Sequence, residues 1–244
     1  MVMPTHREVT GFMRSQLEMR RRYELKFYSM IMRQFRLLAT KSINELELTG
    51  QVQYADNDFA DRLKISFTDI YREIIDKFGQ RVLNTKQIPE FEVLLEYFLL
   101  NEALRRIVGI SDKTRSDIRN VIILGYRDDL TLPQISSNIE KLLVGARARN
   151  RAATIARTET HSTASYANEE ITKSLGIPNQ KKIWLATNDP RTRVSHTIIS
   201  GTEIGIDEKF TVGNAKMKYP GDPEGGAANV INCRCVVLYT SGET

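Results

Sequence analysis

Cysteine is almost absent from this chain: two residues in 244, Cys233 and Cys235, separated by one residue in "NVINCRCVVLYT". Two cysteines exclude a disulfide framework. In an extended strand, Cα atoms two residues apart are roughly 6.5 Å from each other, at the far edge of bridging geometry, so a bridge between these two is not expected. Long apolar runs are also missing. No stretch approaches the roughly 20 apolar residues of a membrane span, and "MVMPTHREVTGFMRSQLEMRRRY" has neither the apolar core nor the cleavage site of a signal peptide. The chain is therefore expected in a cytosol-like compartment, with no membrane partner. Glycine-rich phosphate loops, H-E-x-x-H and the nucleophile elbow are lacking, as are helix-turn-helix and zinc-finger spacings. No repeat period or low-complexity tract is visible.

The length allows one large domain or two modest ones. The net charge of +5 is small but unevenly spread. Arg20, Arg21 and Arg22 are contiguous, Arg105 and Arg106 adjoin, and "GARARNRAATIARTE" carries Arg147, Arg149, Arg151 and Arg157 with no acid before Glu159. Such a patch either neutralises phosphates without reading sequence or forms a solvated helix face.

Up to about Leu175 the pattern is helical. From Thr5 onward Val9, Phe12, Met19, Tyr23, Phe27, Met30 and Ile31 recur mostly at three- or four-residue spacing, with no proline between Pro4 and Leu48, which predicts one long amphipathic helix. A second helix is expected over Asp58 to Leu83. A third should start at Pro89 and end near Gly109, and a fourth should be capped by Ser111-Asp112 and run to about Tyr126. A fifth opens at Thr131 and Pro133 and closes at Gly145. The next helix, about Ala146 to Leu175, is rich in Ala, Thr and Ser, so either its small residues allow close backbone approach or it presents a polar face to a partner. Thr158, His161, Ser162 and Ser165 share one side of it.

After "LGIP" the texture changes. "KKIWLAT" reads as a strand, Asp189-Pro190 can start a helical turn, "KFTVG" is a second strand, "MKYPGDPEGGAANVIN" a loop, and "CRCVVLYT" a final strand. The expected fold class is α+β: a mainly helical N-terminal region, residues 1–145, followed by a small mixed C-terminal domain with short strands, residues 146–244.

The ordered series "ARTE" at 156–159, Trp184, "DPRTRVSH" at 189–196, Gly201, Phe210, "YPGDP" at 219–223 and "NCRC" at 232–235 resembles the phage Mu F-like minor head proteins, the head morphogenesis family. The likeness covers roughly the last hundred residues. It implies a low-copy virion component without catalytic activity, inside the capsid near the portal, assisting head assembly and DNA packaging or delivery. The implied partners are the portal protein and double-stranded DNA, with scaffold or major capsid protein as further candidates, and the implied locations are the virion and, during assembly, the host cytoplasm.

Many relatives resemble a paired-ligand design, a C-x-x-C after the tryptophan and a histidine before the terminal C-x-C, suited to zinc. Here Arg193-Val194-Ser195-His196 occupies the first cluster and Val230 the later histidine position. His196, Cys233 and Cys235 remain. A structural zinc almost always takes four protein ligands, and nothing in the sequence requires His161 or Asp222 to complete the set, so no metal or other cofactor is expected. The preferred reading is a structural clasp of Arg157, Glu159, Trp184, Asp189, Arg191, Arg193, His196, Cys233, Arg234 and Cys235. Strand alternation sends both thiols to one face and Arg234 to the other; Asp189 caps the turn carrying Arg191, Arg193 and His196, and Glu159 is the natural carboxylate for one of those arginines. A metal- or thiol-dependent, nuclease-like enzyme delivered with the phage DNA is the competing class, since Cys and His together can make a nucleophile, but converging carboxylates are lacking and no catalytic residue is assigned. Arg147, Arg149 and Arg151 are the candidate DNA contacts. At about 100° per residue, Arg147 and Arg151 share a side and Arg149 lies nearly opposite.

Overall fold

The computed structural model describes residues 6–53, 58–84, 91–187 and 189–240. Eight α-helices and five short strands are found there: α1 (His6–Thr49), α2 (Phe59–Leu83), α3 (Phe91–Phe98), α4 (Leu104–Arg127), α5 (Leu132–Val144), α6 (Ala146–Ser174), β1 (Lys181–Leu185), α7 (Val194–Ile198), β2 (Glu203–Gly205), β3 (Phe210–Val212), β4 (Ala215–Met217), α8 (Gly226–Val230) and β5 (Val236–Thr240). The α+β class and the long N-terminal helices agree with the sequence reading. Contacts divide the chain into two compact units, each drawn from several segments: one of Met1–Glu24, Tyr71–Phe98 and Arg157–Thr244, the other of Leu25–Ile70 and Leu99–Ala156. The divisions fall inside α1, α2 and α6.

The second unit is all-helical. Phe27, Ile31, Phe35, Leu38 and Leu46 of α1 are buried with Phe59, Leu63 and Phe67 of α2, the Phe27 and Phe67 rings meeting edge-on at 5.1 Å. Gly125 admits the next helix: a Cβ there would stand 2.6 Å from Ile135 Cγ1. Thr131 opens α5 as expected, its backbone N–H donating to Gln134 Oε1 at 2.8 Å.

One expected boundary is absent. The sequence placed a stop at Gly109 and a cap at Ser111, whereas α4 runs unbroken through both. A glycine inside a helix costs only about 1 kcal/mol, and the buried positions Ile107, Ser111, Thr114 and Ile118 keep helical spacing through it. Thr114 Oγ1 satisfies itself by donating to Ile110 O at 2.6 Å. The break comes earlier, as a π-helical turn at Leu99–Ala103. The expected start at Pro89 lies outside the described residues.

The first unit carries the strands. A three-stranded antiparallel sheet has the order β2-β1-β5, with Lys181 opposite Thr240 and Leu185 opposite Val236. Alternation along β1 fixes its two faces. Ile183 and Leu185, with Val236, pack against Val9, Phe12 and Met13 of α1. Lys182 and Trp184 face the other way, Lys182 Nζ reaching Glu169 Oε1 at 2.7 Å with both side chains fully buried, and Trp184 lying 5.3 Å from Phe210. β3 and β4 form a separate hairpin. Residues Thr158 to Glu169 of α6 are buried without a break, so the small-residue composition serves close approach here. Gly221 (φ 94°) lies so near that a Cβ would stand 2.9 Å from His161 Cδ2 and 3.1 Å from Ser162 Cα. Ser162 Oγ donates to Gly221 O at 2.7 Å. The stretch read as a loop before the cysteines contains a 3-10 turn and α8, and Cys233 to Cys235 form the irregular approach to β5 rather than its first residues.

Candidate functional site

Everything in this site belongs to the first unit. Asn232 takes a positive φ of 59°, which bends the chain after α8 and turns both thiols inward; each cysteine is 2% exposed. His196, on the single turn of α7, meets them: Nδ1 is 3.4 Å from Cys235 Sγ and 3.6 Å from Cys233 Sγ. Its other nitrogen faces Asn229 Oδ1 at 3.3 Å. Asn229 Nδ2 donates to Gly225 O at 3.0 Å, which fixes the amide so that its oxygen points at the imidazole. Nε2 of His196 must then be the donor, and Nδ1 offers a lone pair to the sulfurs. Trp184 stands edge-on to the imidazole at 5.4 Å.

On the opposite side lies His161. Arg20, 3% exposed, points Nη1 at His161 Nδ1 at 2.6 Å, with further bonds to Cys235 O at 3.3 Å and Ser165 Oγ at 3.2 Å. Guanidinium only donates, so His161 carries its proton on Nε2, a buried nitrogen with no hydrogen-bond partner among the described residues. Burial pulls Arg20 down to about 10, opposed chiefly by Cys233. Burial likewise depresses His161. The two thiols share a first ionisation: the neighbouring Cys235 thiol, then His161 and His196, draw Cys233 down, and once it is charged that same hydrogen bond and burial push Cys235 up.

Toward solvent, Thr187, Asp189, Arg191, Thr192, Arg193, Asn232 and Arg234 close a cavity of about 10 Å³ together with His196 and both cysteines. Asp189 Oδ1 accepts from the Arg191 backbone N–H at 2.8 Å and Oδ2 from its guanidinium at 3.3 Å, the backbone bond holding the carboxyl below its usual range. Arg193 Nη2 donates to Ile231 O at 2.6 Å, and Arg157 Nη1 to Asn232 Oδ1 at 2.7 Å. Arg234 is half-buried, and burial followed by repulsion from Arg157 and Arg191 lowers it.

One pairing expected from the sequence is not made. Glu159 is buried and accepts from Tyr71 Oη at 2.7 Å; Arg191 donates to Asp189 within its own loop and Arg193 to Ile231 O beyond α8. The structure therefore brings Trp184, His196, Cys233 and Cys235 together at the centre and Arg157, Asp189, Arg191, Arg193 and Arg234 around the rim, and places Glu159 elsewhere. Sequence reasoning missed Arg20 and Asn229. Arg20 is legible in retrospect: with Phe12 and Gln16 it continues the stripe that faces inward along α1. Arg147, Arg149 and Arg151 belong to the other unit. The first two are exposed, Arg149 Nη1 donating to Val144 O at 3.1 Å. Arg151 instead donates to Ile110 O at 3.2 Å and lies 5.6 Å from the Phe35 ring, with burial lowering its pKa.

Comparisons with known proteins give one family and three informative relatives. Residues 116–238, just over half of the chain, match the family described as phage Mu protein F like protein. The chain is 34% identical over 137 residues to NAD(+)–arginine ADP-ribosyltransferase EFV of Enterococcus faecalis, covering 55% of this chain and 27% of that protein. It is 33% identical over 196 residues to the uncharacterized protein YqbB of Bacillus subtilis, covering 75% and 62%. With Minor head protein GP7 of Bacillus phage SPP1 it shares 31% identity over 111 residues, covering 43% and 34%. The chain thus spans less than two thirds of each of these relatives. No solved structure matches it.

Proposed function

Because the chain belongs to the phage Mu protein F like family, we propose that it is a minor head protein of a tailed bacteriophage, bound at the portal vertex inside the capsid, where it assists head assembly and DNA packaging or delivery without catalysing a reaction. The observation that carries this reading is the family match over residues 116–238, which takes in the whole clasp, together with the name of the GP7 relative. The stretch shared with the ADP-ribosyltransferase is 27% of that protein, so it does not say which part of that enzyme acts. The cysteines and histidines here are buried, which suits a packed support better than a nucleophile that must meet substrate.

Within this reading, residues 1–145 are the portal-facing assembly region and 146–244 the Mu F-like C-terminal domain, with the family match reaching back to residue 116. Large apolar side chains stand in solvent on the helices of the first part: Leu48 (85% exposed), Ile65 (64%), Leu100 and Ile123 (63% each). Such residues are what a protein partner would cover. Duplex DNA is the second partner, met weakly and without sequence preference by exposed arginines. Among the described residues, no helix is long and apolar enough to cross a membrane.

Co-expression with the portal protein of the same phage tests the proposal. Co-purification, and loss of head incorporation when Ile65 and Ile123 are changed to Ser in a chain that keeps its circular dichroism, is the expected result. Heads that assemble, package and infect normally without this chain would overturn it.

A further inference from the structure

We propose that His196, Cys233 and Cys235 form a binding site for one divalent ion of the zinc class, held by two thiolates and one imidazole nitrogen. The three ligand atoms are buried and lie within 4.8 Å of one another. In a tetrahedral site with Zn–S of about 2.3 Å and Zn–N of about 2.0–2.1 Å, nitrogen and sulfur ligands stand roughly 3.5 Å apart. The observed separations are 3.4 and 3.6 Å. A simple S–H···N hydrogen bond would account for one of these. Nδ1 has a single lone pair, yet two sulfurs flank it at nearly the same distance.

The second layer has the form a metal-bound histidine requires. Gly225 O fixes the Asn229 amide, Asn229 Oδ1 fixes the proton on His196 Nε2, and Nδ1 is left free for an ion. Two thiolates with one imidazole favour zinc-class ions over magnesium or calcium. Binding releases the thiol protons to solvent, leaving the ion neutralised by the two sulfurs. His161 is not a ligand: the Arg20 bond occupies Nδ1 and puts the proton on Nε2, so that ring has no lone pair free for an ion. The fourth position opens on the cavity of about 10 Å³, about the room of one water, where Thr187, Thr192 and Asn232 can hydrogen-bond a metal-bound water. The sequence counted ligands by their spacing in relatives and found two absent. Three protein ligands suffice when one position stays open.

The test uses the full chain, stripped with chelator under reducing conditions, reloaded with zinc and gel-filtered. About one zinc per chain is expected by elemental analysis, and cobalt(II) titration should give a thiolate-to-cobalt charge-transfer band in the near ultraviolet. His196→Ala should lose both, His161→Gln should keep both, and Asn229→Ala should keep the stoichiometry but weaken zinc binding about 10–100-fold. Wild-type chain that is folded by circular dichroism yet retains under about a tenth of an equivalent and shows no band overturns the site. Unchanged zinc affinity in Asn229→Ala, or a full cobalt band in His196→Ala, overturns this ligand assignment.

Discussion

Arg20 Nη1 stands 2.6 Å from His161 Nδ1, a bond between residues 141 positions apart that ties the N-terminal part of α1 to the buried stretch of α6. The same guanidinium reaches Cys235 O and Ser165 Oγ. Removing it strands one imidazole nitrogen, one carbonyl and one hydroxyl in a dry interior, at about 1–3 kcal/mol for each group left unsatisfied. Arg20→Met should therefore lower stability by at least 2 kcal/mol in urea unfolding, while Arg21→Met, on the exposed side, should stay within about 0.5 kcal/mol.

The approach of Gly221 to α6 is equally specific. A side chain there meets both a φ of 94° and atoms at 2.9 and 3.1 Å. Gly221→Ala should cost about 2–4 kcal/mol, the sum of left-handed strain and overpacking. Gly201, at φ 88° but with open space around its Cβ position, should cost about 1–2 kcal/mol on the same change. Thermal unfolding of the two variants side by side measures the difference.

Much of this architecture was legible, for reasons that also explain the gaps. α1, α2 and α5 announce themselves because apolar spacing persists over many turns and Thr131 and Gly145 mark clear ends. β2 and β4 do not, since three residues carry no measurable period, and α8 hides in a segment whose glycines suggest a loop. The cysteine pair, His196 and Trp184 converge as their motif order implied. Arg20 escaped notice inside a triple arginine, and Asn229 inside "GGAANV", because a tautomer-fixing amide has no sequence signature. Glu159 was assigned to an arginine on charge alone, and the Tyr71 phenol that holds it comes from a distant helix.

Lys182 and Glu169 form a buried ion pair, supported by Tyr239 Oη at 3.0 Å from Glu169 Oε2. Burial raises the carboxyl and lowers the ammonium, each resisted by the other. Lys182→Met alone should destabilise by up to about 3 kcal/mol, because it leaves the buried carboxylate only Lys173, at 3.3 Å, and the Tyr239 phenol, whereas adding Glu169→Met should recover most of the loss. A double-mutant cycle in urea with no recovery would mean that the pair is not coupled.

Asp58 binds Arg62 and, at 2.8 Å, Lys41; these hydrogen bonds pull it down to about 2 from 3.8. A depressed carboxylate adds stability that is present above its unfolded value and disappears as pH falls through the folded one, so the window is pH 4 to 2. The carboxylate is about half exposed, which limits the effect to about 1 kcal/mol or less. Asp58→Asn should lower stability at pH 7 by up to about 1 kcal/mol and flatten the acid limb between pH 4 and 2, so that the two curves converge below about pH 2.

The arginines of α6 give opposite expectations before and after the structure. Helical geometry alone pairs Arg147 with Arg151 and sets Arg149 apart. Arg151, however, is held by Ile110 O and the Phe35 ring, and its burial makes it a part of the fold. Arg147 and Arg149 are the exposed pair, and the weak bond from Arg149 to Val144 O is one a phosphate can replace. Each phosphate contact contributes about 0.9 to the slope of log affinity against log salt. Replacing Arg147 and Arg149 together should reduce that slope by up to about 2 with no change in unfolding. Arg151→Ala should leave the slope unchanged and destabilise by about 1–2 kcal/mol, from the lost cation–π contact with Phe35 and the lost charge beside Asp117. A slope that drops with Arg151→Ala in a fully stable chain would return that residue to the DNA surface; a slope indifferent to Arg147 and Arg149 would remove α6 from it.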